Sequence, residues 1–274
     1  MRVAAVDLGT NTTRLLVADV DGDRIDEVVR RSTVTRLGEG VNERHRLLPE
    51  PVARVRNVLA DYRREAEALG AQRVLAVATS AVRDAENGEA FLGEVEWSYG
   101  FATELLSGEE EAALTLRGVG ALDDDTVVVD IGGGSTELIS TAGATSVDVG
   151  SGRLTELFGE DVDAMADYVR ERLPDLRAAR AVGVGGTITS LAQGTLTADR
   201  LDELLATREF PPLEPGRAEV ILAGTVIARE VLRALGLVEL RVSERDILDG
   251  AAFAAAELPE RAEGDAPPGA FTCC

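Results

Sequence analysis

The chain has 274 residues, 45% of them hydrophobic but only 4% aromatic, and a formal net charge of −21. A chain of this length buries a substantial core, as one large domain or two smaller ones, built here from Ala, Val, Leu and Ile. Every basic residue is Arg and none is Lys. That excludes a Walker-type phosphate loop and Schiff-base chemistry, while the acidity argues against a duplex nucleic acid partner but not against a small polyphosphate held by local arginines.

Residues 2–8 form a short apolar run ending in Asp-Leu-Gly, and "TRLLVADV" and "DEVVRRSTVTRL" follow it as strands joined by tight turns. The single histidine, His45 in "NERHRLLPE", reads as an exposed loop residue, and one histidine rules out an HExxH zinc site. From 51 to 69, Val52, Val55, Val58, Leu59, Tyr62, Ala66 and Leu69 recur at helical spacing. "RVLAVAT" (73–79) is a buried-type strand, "SAVRDAENGEAFLGEVEWSYG" is helical with a break near Asn87-Gly88, and "ATELL" is a short strand. "SGEEEAALTLRGVGAL" then opens a helix at Ser107.

Polar "LDDDT" (122–126) ends this run, and "TVVVDI", "STELIS" and "TSVDVG" repeat the three-strand opening. Helical patterns near 153–177 lead to the strand "RAVGVGG" and the helix "TITSLAQ". After the Pro-rich "FPPLEPG" come a long helix (217–235), the strand "LVELRVS" and a last helix (246–257). One element order therefore occurs twice, which predicts two related α/β domains, 1–120 and 121–260, and a disordered tail, 261–274. The two Asp-Gly turns are expected to face each other across a cleft. Cys273 and Cys274 are adjacent in the tail and can neither staple a core nor complete a four-ligand zinc site. A cytoplasmic location and a homodimer are expected. "VAAV" after Arg2 is too short for the apolar core of a leader, and no apolar run approaches the ~18–20 residues of a membrane span.

The repeat is sharpest in "VDLGTNTTRLL" (6–16) and "VDIGGGSTELI" (129–139), which share Val, Asp, Gly, Thr and Leu in register. In the second copy Asp130 ends the strand, and Gly132, Gly133 and Gly134 permit a turn whose amides converge on an anion. Ser135 and Thr136 add hydroxyls, and Asp130 with Glu137 offers the carboxylate oxygens that a hard divalent cation prefers. Three glycines alone would favour an ordinary hairpin; the paired copy favours phosphate. In the first copy Asp7, Gly9, Thr10, Asn11 and Thr12 supply the same groups, but Arg14 stands where Glu137 does. Arg14 suits bidentate phosphate binding, although taken alone it is better explained as a strand-end surface charge. A third turn, Gly185-Gly186, leads from a strand into a helix and reads either as an anion site or as a simple tight turn. Glu109, Glu110 and Glu111 fill the first turn of a helix, where acids offset the macrodipole or where one of them activates a water.

"DLGTNTTRLL", "ATSAVRDAEN", "SGEEEA", "VVDIGGGSTEL", "VDVGSGRLTE", "VGGTITSLA" and "VSERDILDGA" occur in the order seen in the exopolyphosphatase/guanosine pentaphosphate phosphatase (Ppx/GppA) family, which this chain resembles from about residue 3 to 255 in a short two-domain form. The resemblance implies two ribonuclease-H-like domains of the actin-like ATPase superfamily with an interdomain cleft. It also implies hydrolysis of the terminal phosphoanhydride of polyphosphate, dependent on Mg²⁺, with Mn²⁺ as the alternative. By the same resemblance Glu111 is the catalytic glutamate, Asp130 and Glu137 are the phosphate-loop acids, and Arg83 and Arg153 grip the anionic chain; the metal ligands expected from the two copies together are Asp7, Asp130 and Glu137. Guanosine pentaphosphate as substrate, a kinase of the same superfamily and a non-catalytic polyphosphate sensor remain alternatives at this point.

Overall fold

The computed structural model describes residues 1–213 and 216–259. The expected disordered tail and both cysteines lie outside the described residues.

The first sheet starts with a meander, β1 (Arg2–Leu8), β2 (Thr12–Asp21) and β3 (Arg24–Val34). Then come α1 (Val41–Arg44), α2 (Pro49–Ala68), β4 (Arg73–Ala78), α3 (Ser80–Arg83), α4 (Gly88–Tyr99) and β5 (Ala102–Leu105). The strand order is β3-β2-β1-β4-β5, with β1 antiparallel to β2 and parallel to β4. Helix α2 starts on Pro49, whose fixed φ suits a first helical position, and buries Val52, Val55, Leu59, Tyr62 and Ala66 along one stripe. That stripe packs on Ala4, Val6, Leu8, Leu15 and Val17 of the sheet. His45 caps α1 with φ 48 and is exposed, as read from the sequence.

The chain continues through α5 (Gly108–Val119), β6 (Thr126–Ile131), β7 (Thr136–Ser140), β8 (Gly143–Val147), α6 (Ser151–Phe158), α7 (Val162–Arg172) and β9 (Arg180–Val184). It then forms α8 (Gly185–Leu191), β10 (Thr195–Thr197), α9 (Ala198–Thr207), α10 (Ala218–Leu235), β11 (Glu239–Val242) and α11 (Ile247–Glu257). The second sheet has the order β10-β11-β9-β6-β7-β8. Its run β8-β7-β6-β9-β11 repeats the order of the first sheet, again with three antiparallel strands followed by parallel ones. Each half is thus a mixed sheet of the ribonuclease-H-like arrangement with flanking helices. The extra strand β10 is only three residues long, too short for a periodic signal, and pairs antiparallel with β11.

Two helices leave the sheet that they follow in sequence. Among the described residues, 1–107 and 248–259 form one compact unit, and those between 108 and 247 form the other. The division expected near residue 120 therefore falls before α5. The reason is apolar: Ala112, Leu116 and Val119 of α5 meet Val128, Ile139, Val182 and Val184 of the second sheet. Ala112 is buried and Leu116 and Val119 partly so, and apolar area removed from water favours this placement by roughly 25 cal/mol per Å². Conversely α11 joins the first sheet, where Asp249 accepts from Arg30 Nη2 at 3.0 Å and the Ala256 carbonyl from Arg73 Nη1 at 2.5 Å.

Candidate active site

In the second unit, strand pairing sets Asp130 directly opposite Glu137. Both carboxylates are buried, at 8% and 1% exposure. Thr115 of α5 donates to Asp130 Oδ2 at 3.4 Å, and Ser146 of β8 donates to Glu137 Oε1 at 2.8 Å. The turn between them closes with Gly132 N–H donating to the Ser135 carbonyl at 2.9 Å.

The carbonyls of this turn are held by the first turn of α6. Ser151 N–H donates to Gly132 O at 3.0 Å, and the Gly152 and Arg153 amides donate to Gly133 O at 2.8 and 3.0 Å. Arg153 Nε adds a bond to Gly134 O at 2.8 Å. With its carbonyls drawn toward α6, the turn presents the amides of Gly133 and Gly134 as an anion nest. Among the described residues no hydrogen bond takes these two amides. The residue that makes the approach possible is Gly150, the N-cap of α6: a Cβ there would lie 2.4 Å from the Gly134 N and C atoms.

Strand β9 brings the third glycine turn to the same place, because Val184 pairs with Asp130. Gly185 has φ 79, and a Cβ on it would stand 2.4 Å from Asp130 Oδ1. Both the left-handed backbone and the close carboxylate require glycine here. Against Gly186 lies the guanidinium of Arg217, with Nη1 2.3 Å from where a Cβ would sit. Sequence reading found the two glycines but not Arg217, whose distant position gave no local signal.

In the first unit, strand pairing sets Asp7 opposite Arg14 instead. Arg14 Nε donates to Asp7 Oδ2 at 2.9 Å, and Nη2 stands 2.8 Å from the same oxygen. Gly9 N–H closes this turn on Thr12 O at 3.0 Å, the Asn11 carbonyl accepts from the Thr35 and Arg36 amides, and the Thr10 carbonyl accepts from Gly38 N–H. Gly38 is so close that a Cβ on it would stand 2.4 Å from Thr10 Cγ2 and 3.2 Å from Ala81 of α3. The turn of the first copy and α3 therefore meet the same loop. Arg83 closes α3 and donates from Nη1 to Leu106 O at 2.6 Å.

Asp7 directs Oδ2 to Arg14, whereas Asp130 and Glu137 form a pair of neighbouring acids. Among the described residues no group of three or more His, Cys, Asp or Glu side chains could hold a metal by itself. Two buried carboxylates fit a cation such as Mg²⁺, which keeps waters and completes its shell with substrate oxygens.

A model of the Ppx/GppA phosphatase family matches residues 16–256. The chain belongs to that family. It is 37% identical to "Exopolyphosphatase 2" of Mycobacterium tuberculosis over 93% of this chain and 98% of that one. Among solved structures it is similar to an exopolyphosphatase-like protein, with a TM-score of 0.82 and 30% identity over 92% of this chain and 97% of the other. A Ppx/GppA family member from Aquifex aeolicus gives a TM-score of 0.74 at 28% identity, covering 94% and 99% of the two chains. The enzyme class that this membership supports is a phosphoanhydride hydrolase.

For a Ppx/GppA phosphatase the position of Glu111 is informative. It is 8% exposed on α5 and lies one helical turn before Thr115, so it shares the face that carries the hydroxyl to Asp130. Because α5 packs on the second sheet, Glu111 belongs to the same unit as Asp130 and Glu137. Placing the boundary near residue 120 had separated them. Glu109 and Glu110 are exposed on the same first turn.

Proposed function

We propose that the chain is an exopolyphosphatase: it removes the terminal phosphoryl group of inorganic polyphosphate and releases orthophosphate. The observation that supports this best is the glycine turn 132–135, its carbonyls held by α6 and its ends flanked by the acids Asp130 and Glu137. The amides of Gly133 and Gly134 and the Ser135 hydroxyl hold phosphate oxygens, and the polymer needs no base or sugar recognition to fit such donors.

Glu111 accepts the proton of a water aimed at the terminal phosphorus. As the water oxygen bonds to that phosphorus to give orthophosphate, the bond from phosphorus to the bridging oxygen breaks, and the shortened chain leaves with the electron pair. Asp130 and Glu137 would hold Mg²⁺, which supplies charge neutralisation on the phosphate oxygens when bound. Arg153, tied to Gly134 O through Nε, adds positive charge beside the turn. Arg14 and Arg83 supply the corresponding cations in the first unit, where Thr10 and Thr12 carry the hydroxyls. Positioning and charge stabilisation dominate such phosphoryl transfers.

The test is phosphate release by the purified protein with Mg²⁺ from short polyphosphate, long polyphosphate, guanosine pentaphosphate and ATP. Release from polyphosphate that falls about 10²-fold or more in Glu111→Gln, with polyphosphate binding kept, is expected. Release from guanosine pentaphosphate alone would move the chain to nucleotide metabolism. Binding without release from any substrate would make it a sensor.

A further inference from the structure

We propose that Ser146 is a positioning residue that fixes two catalytic elements at once: the carboxylate of Glu137 and the first turn of α5 that carries Glu111. This rests on the exopolyphosphatase reading above and adds a residue that the sequence motifs do not assign.

Three observations converge on this side chain. Ser146 pairs with Glu137 across β7 and β8, so both side chains leave the sheet on one face. Its hydroxyl donates to Glu137 Oε1 at 2.8 Å. The same side chain is the seat of α5: a Cβ on Gly108, the first residue of that helix, would stand 2.6 Å from Ser146 Cβ and 3.0 Å from its Oγ. The helix backbone therefore comes down onto Ser146 at a distance that only glycine permits. One turn further, Glu111 shares the face of Gly108, and Thr115 continues it to Asp130.

Ser146 is exposed, whereas Glu137 is 1% exposed. Exposed on its outer side and on an edge strand, Ser146 contributes two things at this position, its hydroxyl and a Cβ small enough for α5 to approach. The hydrogen bond fixes one carboxylate oxygen of Glu137 and directs the other. Outer hydrogen bonds of this kind typically change metal affinity or activity by about 10–100-fold when removed. The small Cβ sets how closely the Glu111 turn approaches the sheet.

The experiment compares wild type, Ser146→Ala, Ser146→Thr and Gly108→Ala. Phosphate release is measured over a Mg²⁺ titration, Mn²⁺ binding is measured by electron paramagnetic resonance without substrate, and melting temperature is recorded for each. Ser146→Ala is expected to keep its melting temperature, to need about 10-fold more Mg²⁺ for half-maximal rate, and to bind Mn²⁺ about 10-fold more weakly. Ser146→Thr keeps the hydroxyl and restores both. Gly108→Ala lifts the helix turn and lowers kcat at saturating Mg²⁺; a wild-type kcat in this variant overturns the claim that Ser146 seats α5. Ser146→Ala curves that superimpose on wild type in both metal assays overturn the proposal, as does a Ser146→Thr that behaves like Ser146→Ala. A wild-type protein that binds Mn²⁺ but releases no phosphate refutes the hydrolase reading instead, and the Mn²⁺ arm still decides the role of Ser146 toward Glu137.

Discussion

Replacing Gly150 by Ala isolates what the anion nest depends on. Gly150 has φ −132, which any residue adopts, so alanine brings no backbone strain there. The conflict is purely one of space: the new methyl would lie 2.4 Å from the N and C atoms of Gly134 and 2.5 Å from Gly133 C. Ordinary carbon contacts are about 3.5–4 Å, so α6 and the turn must separate by about 1 Å. Both sides are backbone and neither can rotate away. Overpacking of this kind costs about 1–3 kcal/mol, and the hydrogen bonds that the Ser151, Gly152 and Arg153 amides donate to the turn lengthen together. A displacement of about 1 Å in a positioning element can cost about 10²-fold in rate. Steady-state phosphate release from a short polyphosphate should therefore show kcat/KM lowered about 10²-fold, alongside a modest fall in melting temperature. Gly93→Ala is the control, because a Cβ there meets nothing within 4 Å; it should leave kinetics unchanged. Wild-type kcat/KM in Gly150→Ala would refute the view that α6 sets the turn.

Three further outcomes follow from other parts of the molecule. Millimolar Mg²⁺ should raise the melting temperature of wild type through preferential binding to the folded state, and should not do so in Glu137→Gln; calorimetry with and without EDTA decides this. Glu230 on α10 is 1% exposed and accepts from Arg229 at 2.8 Å, Arg233 at 3.0 Å and Arg170 at 3.4 Å. Breaking a fully buried pair costs about 3–5 kcal/mol, but Arg170 and Arg233 are half-exposed and regain water, so Glu230→Ala should cost ~2 kcal/mol by urea denaturation. Hydrogen bonds from Arg2 and Arg180 hold the Asp19 and Asp125 carboxyls below their ordinary value. Both therefore stabilise the fold above the ordinary aspartate pKa of about 4 and lose that contribution as pH falls through the lowered values. Both are half-exposed and screened by solvent, so they contribute little; Asp125→Asn should flatten the acid limb of the melting curve slightly, and added salt should erase the difference.

Much of this architecture was legible because its signals are local. The strand ending in Asp7 and the one ending in Asp130 both give way to a glycine turn, and the pairings Asp7 with Arg14 and Asp130 with Glu137 confirm that the two copies occupy equivalent places. The long amphipathic patterns behind α2 and α10 carried their own periodicity, and the break at Asn87-Gly88 separates α3 from α4 as expected. What was not legible depends on contacts between remote segments. Nothing in "SGEEEAALTLRG" says which sheet its apolar face will meet, so α5 was assigned to the strands before it. Ser146, Gly150 and Arg217 act through neighbours on other elements, and none stands inside a turn whose composition gave it away.

The exchange of α5 and α11 between the two sheets also bears on how the chain is made. Along the first sheet, Val3, Ala5, Leu16, Leu75 and Val77 are fully buried, and they alternate with the residues under α2, so they line the opposite face. Cover for that face comes from α11, whose Leu248, Ala251, Ala252 and Ala255 are fully buried. A ribosome adding about 5–20 residues per second needs about 7–30 s to pass from the end of β5 to the start of α11. For that interval the nascent amino-terminal sheet has one apolar face without its native partner. Its completion waits until α11 has been made, and a chain stalled or truncated before that helix would present that face to chaperones and proteases.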